Sequence, residues 1–357
     1  MKIAHLVSLQ ENVPPKSKNG LEFVVAWLVD ELVARGHDVT LLAPAESKTK
    51  AKLISIKKNN TLEKNVNNWG SHNFSLWNTS LVASINTKFD IIHSHTETIT
   101  SYMPFISKPT ILTVHGQYND SFREKYLSKK KYLKYFDFAL AQYKKINYVT
   151  ISKKQEQNFL KCQKYYFKKH TTIYNGIPME KFGFNDQPHN YLFFIGYINK
   201  DKGADVAVRM AKKLKMKLIL AGEISSQEKF FNTAIKPYLN KDIKYIGPVN
   251  FKEKNILYKN ALATLAPISW EEPFGLTLAE SQACGTPVIA FNRGAAPEII
   301  QNGKTGFLVN TENEMIKSIK KINTINRLDC RQRVEEKFSV KRMVDDYEKL
   351  YKKLANK

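Results

Sequence analysis

The 357-residue sequence is short of cysteine, of acidic side chains and of long apolar runs. Its three cysteines, Cys162, Cys284 and Cys330, are odd in number and widely spaced. That excludes a disulfide framework and a paired-cysteine metal site, and it fits a reducing compartment. No apolar stretch approaches the roughly 18 residues of a membrane span. The longest near the start, Phe23 to Val29, is seven residues. Met1 to Val7 carries one lysine and a short apolar stretch broken by His5, with neither the apolar length nor the small-residue cleavage site of a signal peptide. It reads as a first strand, and the cytoplasm is the expected compartment. Repeats of fixed period and low-complexity tracts are also missing.

Acids are outnumbered, 33 against 56 lysines and arginines, for a formal net charge of +23. The excess is local. Residues 121–169 hold fourteen bases against three acids, whereas the rest of 1–185 holds thirteen against eleven. Such a segment attracts anionic surfaces, whether the inner face of a membrane or an acidic acceptor, unless it is only a solvated lysine-rich face. No RNA- or DNA-binding module accompanies it, so nucleic acid is not an expected partner.

The length suggests two domains, each able to bury a core. Strand and helix patterns alternate throughout, which predicts parallel sheets with crossover helices. Ile3 to Ser8, Val39 to Ala43, Asp90 to Ser94, Thr110 to Val114 and Asn147 to Ile151 read as strands. Leu21 to Arg35 reads as a helix stopped by Gly36, and 125–145 as a long basic amphipathic helix. A polar, turn-rich stretch after Asn175 places a boundary, giving domains 1–185 and 186–341. The rhythm then restarts with strands at Tyr191 to Ile195, Lys217 to Ala221, Ile243 to Ile246, Ala263 to Ala266 and Val288 to Ala290. Helices are expected at Ala204 to Leu214, Phe230 to Leu239 and from about Thr277 to Cys284, with a last amphipathic helix from Arg342 on. Two doubly wound α/β domains predict a ligand at the carboxyl ends of the strands, in a central cleft.

The strongest chemical signal is Glu272-Pro273-Phe274-Gly275-Leu276-Thr277-Leu278-Ala279-Glu280. Two carboxylates flank a glycine turn that opens a helix. The amides of Gly275, Leu276 and Thr277 are then the unpaired donors of a helix N-terminus, suited to a diphosphate. Glu280, expected in the first turn, can accept two hydrogen bonds from a ribose diol, and Glu272 can reach sugar hydroxyls. On spacing alone, Glu280 is equally well a favourable acid near a helix start.

The stretch from Glu272 to Val309, with Ala283-Cys284-Gly285-Thr286-Pro287-Val288 and Asn302-Gly303-Lys304-Thr305-Gly306-Phe307, resembles the retaining glycosyltransferases of family four, which have the GT-B fold. Asn19-Gly20-Leu21-Glu22, Arg35-Gly36-His37-Asp38-Val39, Asp90-Ile91-Ile92-His93-Ser94-His95, Val114-His115-Gly116, Tyr174-Asn175-Gly176-Ile177, Gly196 to Gly203 and Phe338 to Tyr351 match in the family's order. Residues 46–88 and 119–146 match least.

The resemblance implies two Rossmann-like domains, a C-terminal helix (342–357) crossing back to the first, and transfer of a sugar from a nucleotide donor, most simply a UDP-sugar. It implies a glycan, lipid-linked or small-molecule acceptor and no cofactor. Glu280 matches the ribose carboxylate and Glu272 the one at the transferred sugar. Phe274, Gly275 and Leu276 match backbone at sugar and phosphates, Lys202 the diphosphate lysine, and His115 a histidine at the sugar. Gly20 matches a loop whose backbone approaches the phosphates, which a Cβ would obstruct. A lysine and aligned amides stabilise a leaving diphosphate without a metal, and His93 and His95 read as structural or cleft-lining rather than as ligands. One departure stands out: Gly196 is followed by Tyr197, where the family usually has a second diphosphate cation, an arginine. Lys200 is the candidate to compensate. The alternatives are a catalytically degenerate GT-B protein that binds nucleotide or anionic surfaces, and a GT-B epimerase or phosphorylase.

Overall fold

A computed structural model describes residues 1–15, 20–56, 68–116, 144–163, 169–224 and 228–356. The chain divides into two compact units, Met1–Gly176 with Val340–Lys357, and Ile177–Ser339. The division falls after Gly176, ahead of the boundary expected at 185. Most of the basic helix expected over 125–145 lies outside the described residues.

In the first unit the elements run β1 (Lys2–Leu6), α1 (Gly20–Ala34), β2 (Asp38–Leu42), β3 (Lys52–Ile54), α2 (Asn68–Ser84), β4 (Ile91–Ser94), β5 (Thr110–Val114), β6 (Asn147–Thr150), α3 (Lys153–Gln163) and β7 (His170–Thr172). All seven strands pair in parallel, in the order β3-β2-β1-β4-β5-β6-β7. A parallel strand buried on both faces needs apolar or satisfied side chains at every position, and Thr110–Val114 is buried throughout. Helix α1 turns Val24, Val25, Leu28, Val29 and Leu32 inward. It ends at Gly36, whose φ of +85° is the left-handed conformation that closes a helix at low cost in glycine.

The second unit repeats the plan: β8 (Tyr191–Ile195), α4 (Ala204–Leu214), β9 (Lys217–Ala221), β10 (Ile243–Tyr245), α5 (Phe251–Asn260), β11 (Ala263–Ala266), α6 (Leu276–Ala283), β12 (Val288–Phe291), β13 (Gly306–Val309), α7 (Glu312–Lys320) and α8 (Arg327–Phe338). Its sheet order is β10-β9-β8-β11-β12-β13, again parallel. The single helix expected over Phe230 to Leu239 is instead three short turns, Glu228–Phe230, Phe231–Ile235 and Lys236–Tyr238. Pro237 is the reason: it offers no N–H to continue the ladder, and its ring crowds the preceding turn.

Helix α9 (Val340–Ala355) then returns to the first unit. It buries Met343, Val344, Tyr347 and Tyr351. At its solvent edge, the Arg35 guanidinium donates to Asp345 at 2.6 Å and Glu348 at 3.3 Å, and His37 lies 2.9 Å from Glu348. Among the described residues no helix is long and apolar enough to cross a membrane.

Candidate functional site

In each sheet the strand order reverses once, between β1 and β4 in the first unit and between β8 and β11 in the second. Doubly wound sheets bind ligands outside the carboxyl ends of the strands at that reversal. The chemistry-bearing residues gather at these two places.

In the second unit, β8 runs into the loop Gly196–Gly203, which feeds α4. Gly196 and Gly222 bring the ends of β8 and β9 so close that a Cβ on Gly222 would lie 1.9 Å from the Gly196 carbonyl oxygen. Gly203 caps α4 in the left-handed region, and a Cβ there would sit 2.2 Å from the Pro267 carbonyl, just beyond β11. The loop is thereby pinned against both neighbouring strand ends. The Lys202 amide is held by the Asn199 side chain at 2.9 Å. Its ammonium donates to Glu272 Oε2 at 2.5 Å and lies 4.9 Å from the centre of the Trp270 ring.

Glu272 is fixed in turn by the loop after β12. Its carbonyl accepts from the Ala295 amide at 2.9 Å, and Gly294 packs against its backbone where a Cβ would meet the Glu272 nitrogen at 2.4 Å. Gly275, at φ +90°, then opens α6, and no side chain caps that helix. The Leu276 and Thr277 amides are left as helix N-terminal donors with the positive end of the macrodipole behind them. The structure thus joins Gly196, Lys202, Glu272 and Gly275 in one place. Phe274 is buried and packs on Phe338, so its side chain belongs to the core. Tyr197 and Lys200 are exposed on the loop.

Glu280 requires a correction. It is the fifth residue of α6, one turn deeper than expected, and the first turn contains no acid. The reading of Glu280 as a favourable charge at a helix start therefore falls away. It is buried, and its carboxylate accepts from Lys254 at 2.6 Å and from the Tyr258 hydroxyl at 3.2 Å. Both partners stand on α5, whose N-terminus is set by reciprocal bonds between Asn250 and Glu253. Burial, and then the Glu280 charge, push the Tyr258 hydroxyl well above its ordinary range, so it remains a donor. Sequence reading missed Lys254 and Tyr258; their spacing of four on a helix was the available signal.

In the first unit, β1 and β4 carry His5 and His93 one residue before their ends, and His95 and His115 directly follow β4 and β5. His5 is level with His93 across β1 and β4. Alternation along the strands puts His93 and His95, and Thr113 and His115, on the same face. Two hydrogen-bonded chains result. His5 Nδ1 meets His95 Nε2 at 3.2 Å, and His95 Nδ1 meets His115 Nε2 at 2.9 Å. His93 bonds the Tyr351 hydroxyl and Thr113, each at 2.7 Å, and Thr113 bonds the Tyr347 hydroxyl at 2.8 Å. Burial lowers the pKa of His5 to about 3 and of His115 to about 4, and takes His93 and His95 well below the ordinary value. All four are neutral at pH 7.

One nitrogen each from His5, His93 and His95 lies within 4.8 Å of the others, close enough for a small cation. Sequence alone offers only His93 and His95 as neighbours; strand pairing adds His5. Both ring nitrogens of His93 and of His95 are already hydrogen-bonded, however, so a cation would have to displace several bonds. Gly20 is the exposed first residue of α1, and residues 16–19 before it lie outside the described residues.

Comparison with known proteins agrees across the chain. The sequence pattern of the family described as Glycosyltransferase Family 4 matches residues 18–181, and that of Glycosyl transferases group 1 matches 179–337. An uncharacterized glycosyltransferase of Methanocaldococcus jannaschii is 28% identical over 280 residues, covering 75% of this chain and 76% of that protein. Sucrose-phosphate synthase from Thermosynechococcus elongatus superposes with a TM-score of 0.78 at 17% identity, over 99% of both chains. HepE of Anabaena, solved in complex with UDP, gives 0.76 at 15% identity over 99% of this chain and 100% of that one.

Proposed function

Since this chain belongs to the family-four glycosyltransferases and has their GT-B fold, we propose that it moves a hexose-type sugar from a nucleotide sugar, a UDP-sugar before a GDP-sugar, to a glycan, lipid-linked or small-molecule acceptor with retention at the anomeric carbon. The observation that carries this reading is the meeting of Lys202, Glu272 and the uncapped start of α6 at the β8–β11 reversal. Breaking the sugar–phosphate bond builds negative charge on the departing diphosphate. Fixed amides and an ammonium oppose that charge without reorganising as it forms. At about 4 Å and an effective dielectric of 20, one such cation is worth roughly 4 kcal/mol before desolvation.

In this reading Lys202 exchanges its carboxylate partner for a phosphate oxygen when the donor arrives, and Glu272 turns to the sugar hydroxyls. Glu280, held by Lys254 and Tyr258, accepts from the ribose diol. Gly196 and Gly20 allow backbone to approach the phosphates, and His115 hydrogen-bonds the sugar. No step in the scheme calls for a metal. The excess of base over 121–169 suits an acceptor that carries negative charge.

The test is a panel of UDP- and GDP-sugars, with released nucleotide followed with and without chelator. Turnover of a UDP-sugar, unchanged by chelator and giving a product of the donor's anomeric configuration, is the expected result. Binding of no nucleotide sugar at millimolar concentration would remove the proposal.

A further inference from the structure

Three buried histidines, His5, His93 and His95, take no part in the scheme above, and the way two of them are bonded has a chemical consequence. His5 is wholly buried, and its Nε2 has no hydrogen-bond partner among the described residues. His5, His95 and His115 form a line in which each contact joins two ring nitrogens. A neutral imidazole has one N–H and one lone pair, so the direction of one bond in the line fixes the next. Only two arrangements exist.

In the first, Nδ1–H of His5 donates to His95 Nε2, and Nδ1–H of His95 donates to His115 Nε2. The orphan on His5 is then a lone pair. In the second, every donor is reversed, and the orphan is an N–H sealed in the core. Orphaned buried N–H groups are rarer in proteins than under-used acceptors, which selects the first. The Nε2 of His115 is then an acceptor, and its proton must sit on Nδ1. That Nδ1 has no partner among the described residues.

We infer that His95, backed by His5, holds His115 as the Nδ1–H tautomer, so that His115 offers a hydrogen-bond donor and not a basic lone pair on its open side. His95 and His5 are positioning residues. The inference rests on the reading of His115 as the histidine at the sugar. It assigns that histidine the task of donating to a sugar oxygen as the bond to phosphate breaks, and it denies it the task of general base.

The test needs no substrate. In full-length protein carrying ¹⁵N-histidine, a long-range ¹H–¹⁵N correlation spectrum at pH 8 distinguishes the tautomers, and the His115 signals are assigned by their loss in His115→Gln. Protonated Nδ1 with bare Nε2 is the expected pattern; protonated Nε2 overturns the inference whatever the activity. Turnover gives a second measure. In His95→Asn the amide nitrogen can stand where Nδ1 stood and still donate to His115, whereas His95→Leu donates nothing. The leucine variant should lose roughly five- to tenfold in kcat with little change in donor KM, and asparagine should restore most of the loss. Equal losses in the two variants, or a loss confined to KM, refute the positioning role. Wild-type kcat in His115→Gln would instead remove His115 from the sugar.

Discussion

Acid should loosen the first unit, and Glu22 should conceal part of the effect. His5 has a folded pKa of about 3 against an ordinary 6.5, because burial penalises its charged form. A group whose folded pKa is depressed gives stability that is whole above the unfolded pKa and is lost as pH falls towards the folded one. From pH 7 to pH 5 the unfolded His5 takes up its proton and the folded one does not, which costs about 2 kcal/mol of stability. His93, His95 and His115 shift in the same direction and add to the loss.

Glu22 opposes them. It is buried in the first turn of α1 with Oε2 unpartnered among the described residues, and burial, then its nearness to Glu11, raise its pKa from 4.5 to about 7. Its folded form binds the proton more tightly, so its contribution is full below pH 4.5 and lost as pH rises towards 7. Over the same interval it returns about 2 kcal/mol. The measurement is therefore urea unfolding of the wild type and of Glu22→Gln at pH 7 and pH 5. It is followed by fluorescence, since Trp27, Trp69 and Trp77 of the four tryptophans lie in the first unit. The variant should lose about 2 kcal/mol more than the wild type on acidification. If the two lose the same amount, or the variant loses nothing, the reasoning about buried titrating groups is refuted.

Glu280→Ala should weaken nucleotide binding roughly 10- to 100-fold by calorimetry, since it removes a charged acceptor from the proposed ribose site; an unchanged dissociation constant would exclude it. Gly222→Ala should destabilise the second unit by about 3 kcal/mol or more in thermal melts, because its Cβ would lie 1.9 Å from a carbonyl oxygen. Gly36→Ala, with φ +85° but open space, should cost only about 1 kcal/mol, and equal costs would contradict the steric account. Tyr197→Arg should tighten nucleoside diphosphate binding by about tenfold, since a guanidinium replaces an exposed phenol on the loop proposed to hold the phosphates; a neutral result would leave backbone amides and Lys202 as sufficient.

What could be read from the sequence was local. Strand and helix periodicity, Gly36 as a helix stop and Gly275 as a helix start are written in consecutive residues, and the order of motifs across both halves pointed to the family. What could not be read was lateral. Lys254 and Tyr258 reach Glu280 only because α5 packs beside α6: their spacing of four puts them on one helix face, and it does not say which neighbour that face meets. His5 looked like a blemish in an apolar strand until register set it level with His93. Arg327 shows the same limit. It is a buried guanidinium with no ion pair among the described residues, satisfied by the carbonyls of Asn185, Lys259 and Ala261 and the Thr286 hydroxyl, four positions scattered over a hundred residues. The broken helix at 228–238 is legible in principle, since Pro237 cannot continue a helical ladder.

Helix α9 supplies the Tyr347 and Tyr351 hydroxyls to Thr113 and His93 and the acids that meet Arg35 and His37. The first unit is therefore made of the beginning and the end of the chain, with Ile177–Ser339 inserted between. On a ribosome the order of emergence is then the reverse of the order of completion. The second unit has all its residues and can close while the first still waits for Val340–Ala355, which brings the hydroxyls that His93 and Thr113 bond. A nascent chain halted before residue 340 would carry one finished unit and one in which Arg35, His37, His93 and Thr113 lack their partners on α9.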